Sequence, residues 1–246
     1  MIPPSAFHLP NSEMGGLVPK GFYRLGCDIG GTFTDFVLVN DRAGRFYVYK
    51  CLTTPADPSD AVEQGIRALL DQIPGRKPDI DEIIHGTTLV INAIIERKGA
   101  VTGLITTRGF RDVLELGREL RYDAYDIFAE YPQPLVPRRL RLEVDERIAS
   151  DGRVIRRLDL QAVKGVLAEL RRAGVESLAV CLINSYRNPD HEKEIKALVE
   201  QEWPEVFLST SVEVLPQIRE YERTCTTATN AYVKPITARY LKKLAG

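Results

Sequence analysis

Residues 24–40, RLGCDIGGTFTDFVLVN, constrain the fold of this chain more than any other stretch, because two apolar runs at strand spacing flank a glycine pair with a carboxylate just ahead of it. Leu25 to Ile29 alternates as a strand, and Val37, Leu38 and Val39 carry the chain back, which predicts an antiparallel hairpin. Gly30 and Gly31 permit a reversal tight enough to present backbone N–H groups to an anion. Thr32 and Thr34 add hydroxyl donors at the turn, and Asp28 stands beside it. The arrangement suits the phosphates of a nucleotide. Neither GxxxxGK(S/T) nor GxGxxG occurs, which argues against a P-loop or a dinucleotide fold.

The rest of the chain changes period several times. FYVYKCLTT (46–54) alternates apolar and polar residues and predicts a third antiparallel strand. From Ser59 to Ile73 the apolar residues Ala61, Val62, Ile66, Leu69, Leu70 and Ile73 recur at helical spacing, with Ser59 or Asp60 as cap. IDEIIHGTT (80–88) predicts a short strand, TLVINAIIERKG (88–99) a helix closed by Gly99, and VTGLITT (101–107) another strand. Gly109 to Gly117 reads as a short helix and Arg118 to Pro137 as an extended loop. RLRLEVDERIASDGRVIRRL (139–158) has two alternating runs around Ser150, Asp151 and Gly152, the pattern of a hairpin insertion. Helix and strand then alternate through LDLQAVKGVLAELRRAG, SLAVCLIN, HEKEIKALVEQEW and EVFLSTS, which favours parallel pairing with helical crossovers. A long helix begins near Gln217, where Pro235 should kink or break it.

A chain of 246 residues with 44% hydrophobic content has the material for one or two domains. Lys and Arg total 33 against 34 Asp and Glu, so no charge imbalance recruits nucleic acid or an anionic membrane. The longest apolar runs, SLAVCLI and FVLV, fall far short of the roughly 20 residues a membrane span needs. Cys27, Cys51, Cys181 and Cys225 form no CxxC pair and read as reduced thiols. The opening 21 residues, rich in Pro and Gly, lack the basic end and apolar core of a secretion signal. They are read as a disordered leader on a cytoplasmic protein.

The octet DIGGTFTD (28–35) resembles the first phosphate motif of the actin, sugar kinase and heat-shock chaperone superfamily of ATPases, in which the aspartate holds Mg2+, usually through water. HGTTLVINAIIERKGA (85–100), GLITTRGFRDVLELGRELRYDAYD (103–126), LVPRRLRLEVDERIASDG (135–152) and VLPQIREYERTCTTATNAYVKPITARYL (214–241) narrow the match. Together these segments are similar to the amino-terminal region of the hydantoinase/oxoprolinase family, from about residue 22 to the carboxyl end. The run GRELRYDAYD is more similar to the N-methylhydantoinase A and acetone carboxylase β-subunit branch than to the single-chain 5-oxoprolinases.

The resemblance implies an α/β fold of the ribonuclease H-like, actin-like ATPase half-domain type. Its mixed sheet would have three antiparallel strands, then parallel strands flanked by helices, with the hairpin as an insertion. Residues 22–213 would be the amino-terminal domain of the family and 214–246 the start of the following one. ATP and Mg2+ are the implied cofactors, with Asp28 organising the metal and Gly30, Gly31, Thr32 and Thr34 at the phosphates. The implied reaction is ATP-dependent hydrolysis of a cyclic amide. The alternatives are a β-type fragment of an ATP-dependent ketone carboxylase and a non-catalytic scaffold, while a sugar or acetate kinase is disfavoured by the segments after residue 85. Superfamily members close ATP between two related halves, and the second half is missing here, so an amino-terminal fragment with little ATPase activity alone is expected. Its partner would be the carboxyl-terminal half of the same enzyme or a hydantoinase B-like subunit, in an oligomer acting on a small molecule.

Other candidates carry competing readings. His85, Gly86, Thr87 and Thr88 stand where a strand meets a helix, a place for a phosphate or substrate, although Thr87 or Thr88 fits a simple helix cap as well. Asn92 follows about one turn on and would face the same cleft, or be an exposed amide. Thr106, Thr107, Arg108 and Gly109 repeat the theme, with Arg108 able to pair with phosphate or to be an ordinary loop arginine. Gly117, Arg118, Arg121, Tyr122 and Asp123 suggest substrate or partner contact. The alternating charges of Arg219 to Thr224 fit a solvated helix face. His8, His85 and His191 are too scattered for a metal site.

Overall fold

The computed structural model describes residues 23–54, 58–73, 79–118, 125–126, 128 and 130–244; the expected leader lies outside them. The chain divides into two compact units, one running up to Ile95 and resuming at Arg239, the other Glu96–Ala238.

The first unit opens with β1 (Tyr23–Ile29), β2 (Phe33–Asn40) and β3 (Arg45–Leu52), joined as an antiparallel meander. After α1 (Pro58–Leu70), β4 (Ile80–Thr87) pairs parallel with β1, giving the order β3-β2-β1-β4. The short α2 (Leu89–Ile95) follows. Strand alternation sends Leu25, Cys27 and Ile29 of β1 and Thr34, Phe36 and Leu38 of β2 to one buried side. Leu25, Leu38 and Leu69, each 1% exposed or less, contribute about 1.5–3 kcal/mol apiece through burial. On α1, a Cβ at Gly65 would lie 2.1 Å from the Phe36 ring, so glycine lets the helix settle onto that ring. Tyr240, near the carboxyl end, joins the same core.

In the second unit β5 (Thr102–Thr107) is followed by α3 (Val113–Leu116), then β6 (Arg141–Val144). The β7 (Arg147–Ile148) and β8 (Val154–Arg156) ribbon leads to α4 (Leu160–Arg172). Next come β9 (Ser177–Cys181), α5 (Asp190–Glu202), β10 (Phe207–Thr210), α6 (Ser211–Val214) and α7 (Glu220–Leu244). The sheet order is β10-β9-β5-β6, parallel throughout, as the alternation of helix and strand predicts. β5 and β9 are buried along their whole length, which is why they read as unbroken apolar or small-residue runs. Asp159 caps α4, its carboxylate accepting from the N–H groups of Gln161 and Ala162. Val163, Leu167 and Leu170 of α4 turn to the core.

Five expectations need correction. Only β4 extends the first sheet in parallel, and the later parallel strands form a sheet of their own: the described strands make two four-stranded sheets and a two-stranded ribbon. The predicted insertion hairpin splits, because Leu140 and Val144 are core residues and β6 therefore pairs with β5, leaving Arg147–Ile148 to pair with Val154–Arg156. The helix after residue 88 ends at Ile95, with Arg97 in the left-handed region at φ 56°; Gly99 serves instead as the floor for the Tyr232 ring, which a Cβ would meet at 2.0 Å. The short helix expected from Gly109 shrinks to Val113–Leu116. Helix α7 runs on through Pro235 without breaking and begins at Glu220. Part of the predicted loop 118–137 lies outside the described residues, and its described remainder is irregular apart from buried Val136.

Candidate functional site

The hairpin tip is built from interlocking hydrogen bonds. Gly30 N–H donates to the Phe33 carbonyl at 2.9 Å, closing the turn, and Thr53 N–H donates to the Thr32 carbonyl at 2.9 Å. The Thr53 hydroxyl donates to the Gly30 carbonyl at 2.9 Å, so the Thr34 hydroxyl, 2.9 Å away, donates in turn to Thr53. Thr34 is fully buried; its hydroxyl braces the tip from beneath instead of standing at the turn as a donor to ligand. Thr53, at the end of β3, escapes a reading of the DIGGTFTD octet, since the alternation of FYVYKCLTT identifies a strand but not that its final threonine folds back onto Gly30. Thr32 and Gly31 are exposed at the tip.

The second turn is stitched to the first. Register places Asp28 opposite Gly86 and Ile29 opposite Thr87. Thr88 donates to the Ile29 carbonyl through both its N–H (3.0 Å) and its hydroxyl (3.2 Å). Thr87 accepts from Leu89 N–H at 3.1 Å, the capping role weighed above. The Asn92 amide donates to the Thr88 hydroxyl at 3.1 Å and stands 3.1 Å from where a Cβ on Gly31 would be. Thus Asp28, Gly30, Gly31, Thr32, Gly86, Thr87, Thr88 and Asn92 are brought together on one unit.

Asp28 is exposed at the centre of this group, and no cation pairs with it among the described residues. A Cβ on Gly86 would lie 3.1 Å from its Oδ1, so glycine keeps that flank open. An exposed hard carboxylate between two glycine-bearing turns fits the oxygen chemistry of Mg2+ and the anion chemistry of phosphate. Immediately beneath, burial pushes the Cys27 thiol up to about 12, with Asp28 adding to the shift. That thiol is a packing group.

His85 faces inward. Its Nε2 lies 2.7 Å from the Tyr240 hydroxyl, and it also bonds the backbone of Cys27. Burial lowers its pKa, with the Cys27 backbone and Asp28 opposing. Both partners fix the orientation of its half-buried ring on β4.

The remaining candidates belong to the second unit. Arg118 pairs with Glu222 at 2.7 Å, while Arg121, Tyr122 and Asp123 lie outside the described residues. Arg108 pairs with Asp145 at 3.5 Å. Thr107 is buried, bonded to Glu146 and accepting from Ile183 N–H at 2.9 Å. His191, within the polar run HEKEIKALVEQEW, is nonetheless buried at 4% exposed, with Nδ1 2.7 Å from Glu146. Arg223 likewise departs from the solvated face expected of it, donating to the Leu182 carbonyl at 2.7 Å and to Ser185. Burial pushes the Glu192 carboxyl up, opposed by donors from Leu182, Ser211 and Val212. These groups pin the carboxyl ends of β9 and β10 to α5, α6 and α7.

A meander of three antiparallel strands, a parallel fourth strand and a glycine-tipped hairpin beside an open aspartate define an actin-like ATPase half-domain. The profile of the "Hydantoinase/oxoprolinase N-terminal region" matches residues 24–203, and the chain belongs to that family. It is 41% identical over 92% of its length to the caprolactamase subunit alpha of Pseudomonas jessenii, covering 33% of that protein. Against acetophenone carboxylase gamma subunit of Aromatoleum aromaticum it is 37% identical, with 84% and 30% covered. Against 5-oxoprolinase 1 of Arabidopsis thaliana the figures are 32%, 92% and 20%. Among solved structures, the ATP-dependent caprolactamase from Pseudomonas jessenii superposes with TM-score 0.81 at 40% identity, over 91% of this chain and 33% of that one. Nucleotide-free acetone carboxylase gives 0.80 at 27% identity, over 92% and 34%. The chain therefore spans about a third or less of the length of the relatives it matches. Among the described residues no helix is long and apolar enough to cross a membrane.

Proposed function

We propose that this chain is the phosphate-binding amino-terminal part of an ATP-dependent hydrolase of cyclic amides. The observation that carries the reading is Asp28, exposed and without a cation partner among the described residues, between a tip held by Thr53 and a second turn held to it by Thr88, which Asn92 braces in turn. Asp28 would hold Mg2+ through water, which supplies charge neutralisation on the phosphates. N–H groups of Gly31 and Thr32 and of Gly86 and Thr87 would orient those phosphates, while Gly30 and Thr88, whose N–H groups are taken by the Phe33 and Ile29 carbonyls, would shape the two turns around them. Transfer of the γ-phosphoryl group to the amide oxygen makes that oxygen a leaving group. Water then adds to the carbon, the C–N bond of the ring breaks as the nitrogen takes up a proton and leaves as the amine, and a second water hydrolyses the resulting acyl phosphate to carboxylate and phosphate.

The caprolactamase and 5-oxoprolinase relatives support a lactam-type substrate. The acetophenone carboxylase relative favours a second reading, in which the same phosphorylation activates a ketone or bicarbonate for carboxylation. Arg118, Arg121, Tyr122 and Asp123 would contact substrate or partner. The partner is the remainder of the enzyme or a hydantoinase B-like subunit, in an oligomer. Residues 22–213 would be the family's amino-terminal domain and 214–246 the start of the next. Reliance on ATP suits the cytoplasm. The isolated 246-residue chain should turn ATP over poorly.

The test is ATP hydrolysis by the full-length protein with its partner subunit, stimulated by a panel of lactams, hydantoins, 5-oxoproline and ketones with bicarbonate. One cyclic amide should couple to ADP release, and Asp28→Asn should lower kcat by about 100-fold or more. Ring opening without ATP, or full turnover in Asp28→Asn, would overturn the reading.

A further inference from the structure

The strand register sets a second carboxylate beside Asp28. Direct cross-strand partners form one transverse row: Lys50 opposite Asp35, Asp35 opposite Asp28, and Asp28 opposite Gly86. All four are exposed, on the face of the sheet opposite Cys27, Thr34 and Phe36. Cβ atoms of opposite residues in an antiparallel pair stand about 4.5–5.5 Å apart, and like charges so placed repel. A sheet under no other demand avoids such a pair. Lys50 compensates only one member: its Nζ donates to the two oxygens of Asp35 at 2.8 and 2.9 Å and lies 4.9 Å from the centroid of the Phe33 ring. On the far flank of Asp28 the glycine at 86 leaves a gap where a Cβ would press on Oδ1. The register thus sets two aspartates side by side on one exposed face, with one uncompensated and space beside it.

Resting on the reading of the hairpin as a magnesium–nucleotide site, we propose that Asp35 is the second carboxylate facing that ion and that Lys50 is its counter-charge when the ion is absent. Mg2+ is commonly held by one or two carboxylates together with phosphate and water oxygens. The Lys50–Asp35 pair is exposed on both sides, so its exchange for a divalent ion sacrifices little. Asp35 would act on the ion, and Lys50 on Asp35.

The experiment is Mn2+ binding followed by the loss of the free-ion EPR signal, on the full-length protein with its partner subunit and a nonhydrolysable ATP analogue. Asp35→Asn should weaken Mn2+ binding about tenfold, the Coulomb effect of one charge roughly 5 Å from a divalent ion in a watery site. Lys50→Met should strengthen it by several-fold. Metal-free nucleotide affinity should hold or rise in Asp35→Asn, since a negative charge has been removed. Asp35→Ser gives a second variant with the carboxylate deleted, and melting curves confirm folding. If Asp28→Asn weakens Mn2+ binding while both Asp35 variants leave it unchanged, the role of Asp35 is wrong and the nucleotide reading stands. Unaltered binding in all three would remove the nucleotide reading itself. Weaker binding in Lys50→Met would refute the counter-charge.

Discussion

At the scale of single residues, the site depends on side chains that never touch a ligand. Thr53 fixes the Gly30 carbonyl from one side and receives the buried Thr34 hydroxyl from the other. Thr53→Val should cost about 1–2 kcal/mol in urea unfolding, because it strands two partners, and Thr53→Ser should restore most of it. His85 gives a pH signature. Its pKa is lowered by burial, so below the usual histidine value near 6.5 the unfolded chain binds more protons than the folded one. Stability should therefore rise with pH up to about 6.5 and level off, and His85→Gln should flatten that rise in melts taken across the range. Asp28, Gly30 and Gly31 were legible in the sequence because carboxylate, glycine pair and flanking strands are contiguous. Thr53, Asp35 and Lys50 were not, since their importance lies in pairing across strands. Counting outward from the turn would have placed Asp35 opposite Asp28, had the turn length been known.

At the scale of elements, periodicity located most strands and helices, and tertiary demand decided how they pair. The run 139–158 has the alternation of one long hairpin, yet Leu140 and Val144 have a core to fill, and parallel pairing with β5 prevails over the local turn. Gly99 looked like a cap by position and is a contact for Tyr232, while Arg97 takes the left-handed conformation. Gly65 shows the same logic on α1. An exposed helical glycine gains stability on change to alanine, but here the new methyl would strike the Phe36 ring. Gly65→Ala should destabilise by about 1–3 kcal/mol, and the loss should shrink in a Phe36→Leu background, a non-additivity readable in a double-mutant cycle.

At the scale of the whole molecule, the resemblance carried the fold class, and the division into units was not legible because no composition shift marks residues 95 or 239. Nor was the polar core of the second unit. The alternating charges of Arg219 to Thr224 have a surface pattern, but Arg223 is 2% exposed and reaches the end of β9. Its carbonyl and hydroxyl partners sit on segments remote in sequence, so no local window contains the signal. Arg223→Met should destabilise the second unit by about 1–3 kcal/mol, leaving the buried Leu182 carbonyl and Ser185 hydroxyl without their donor, as measured by hydrogen exchange in β9 and α5. The position of Tyr240 has another consequence. The core of the earliest strands is completed by a residue that leaves the ribosome only after the entire second unit, on the order of ten seconds later at ordinary elongation rates. During that interval the nascent sheet lacks the Tyr240 side of its core, and strands made before the second unit wait for a residue made after it.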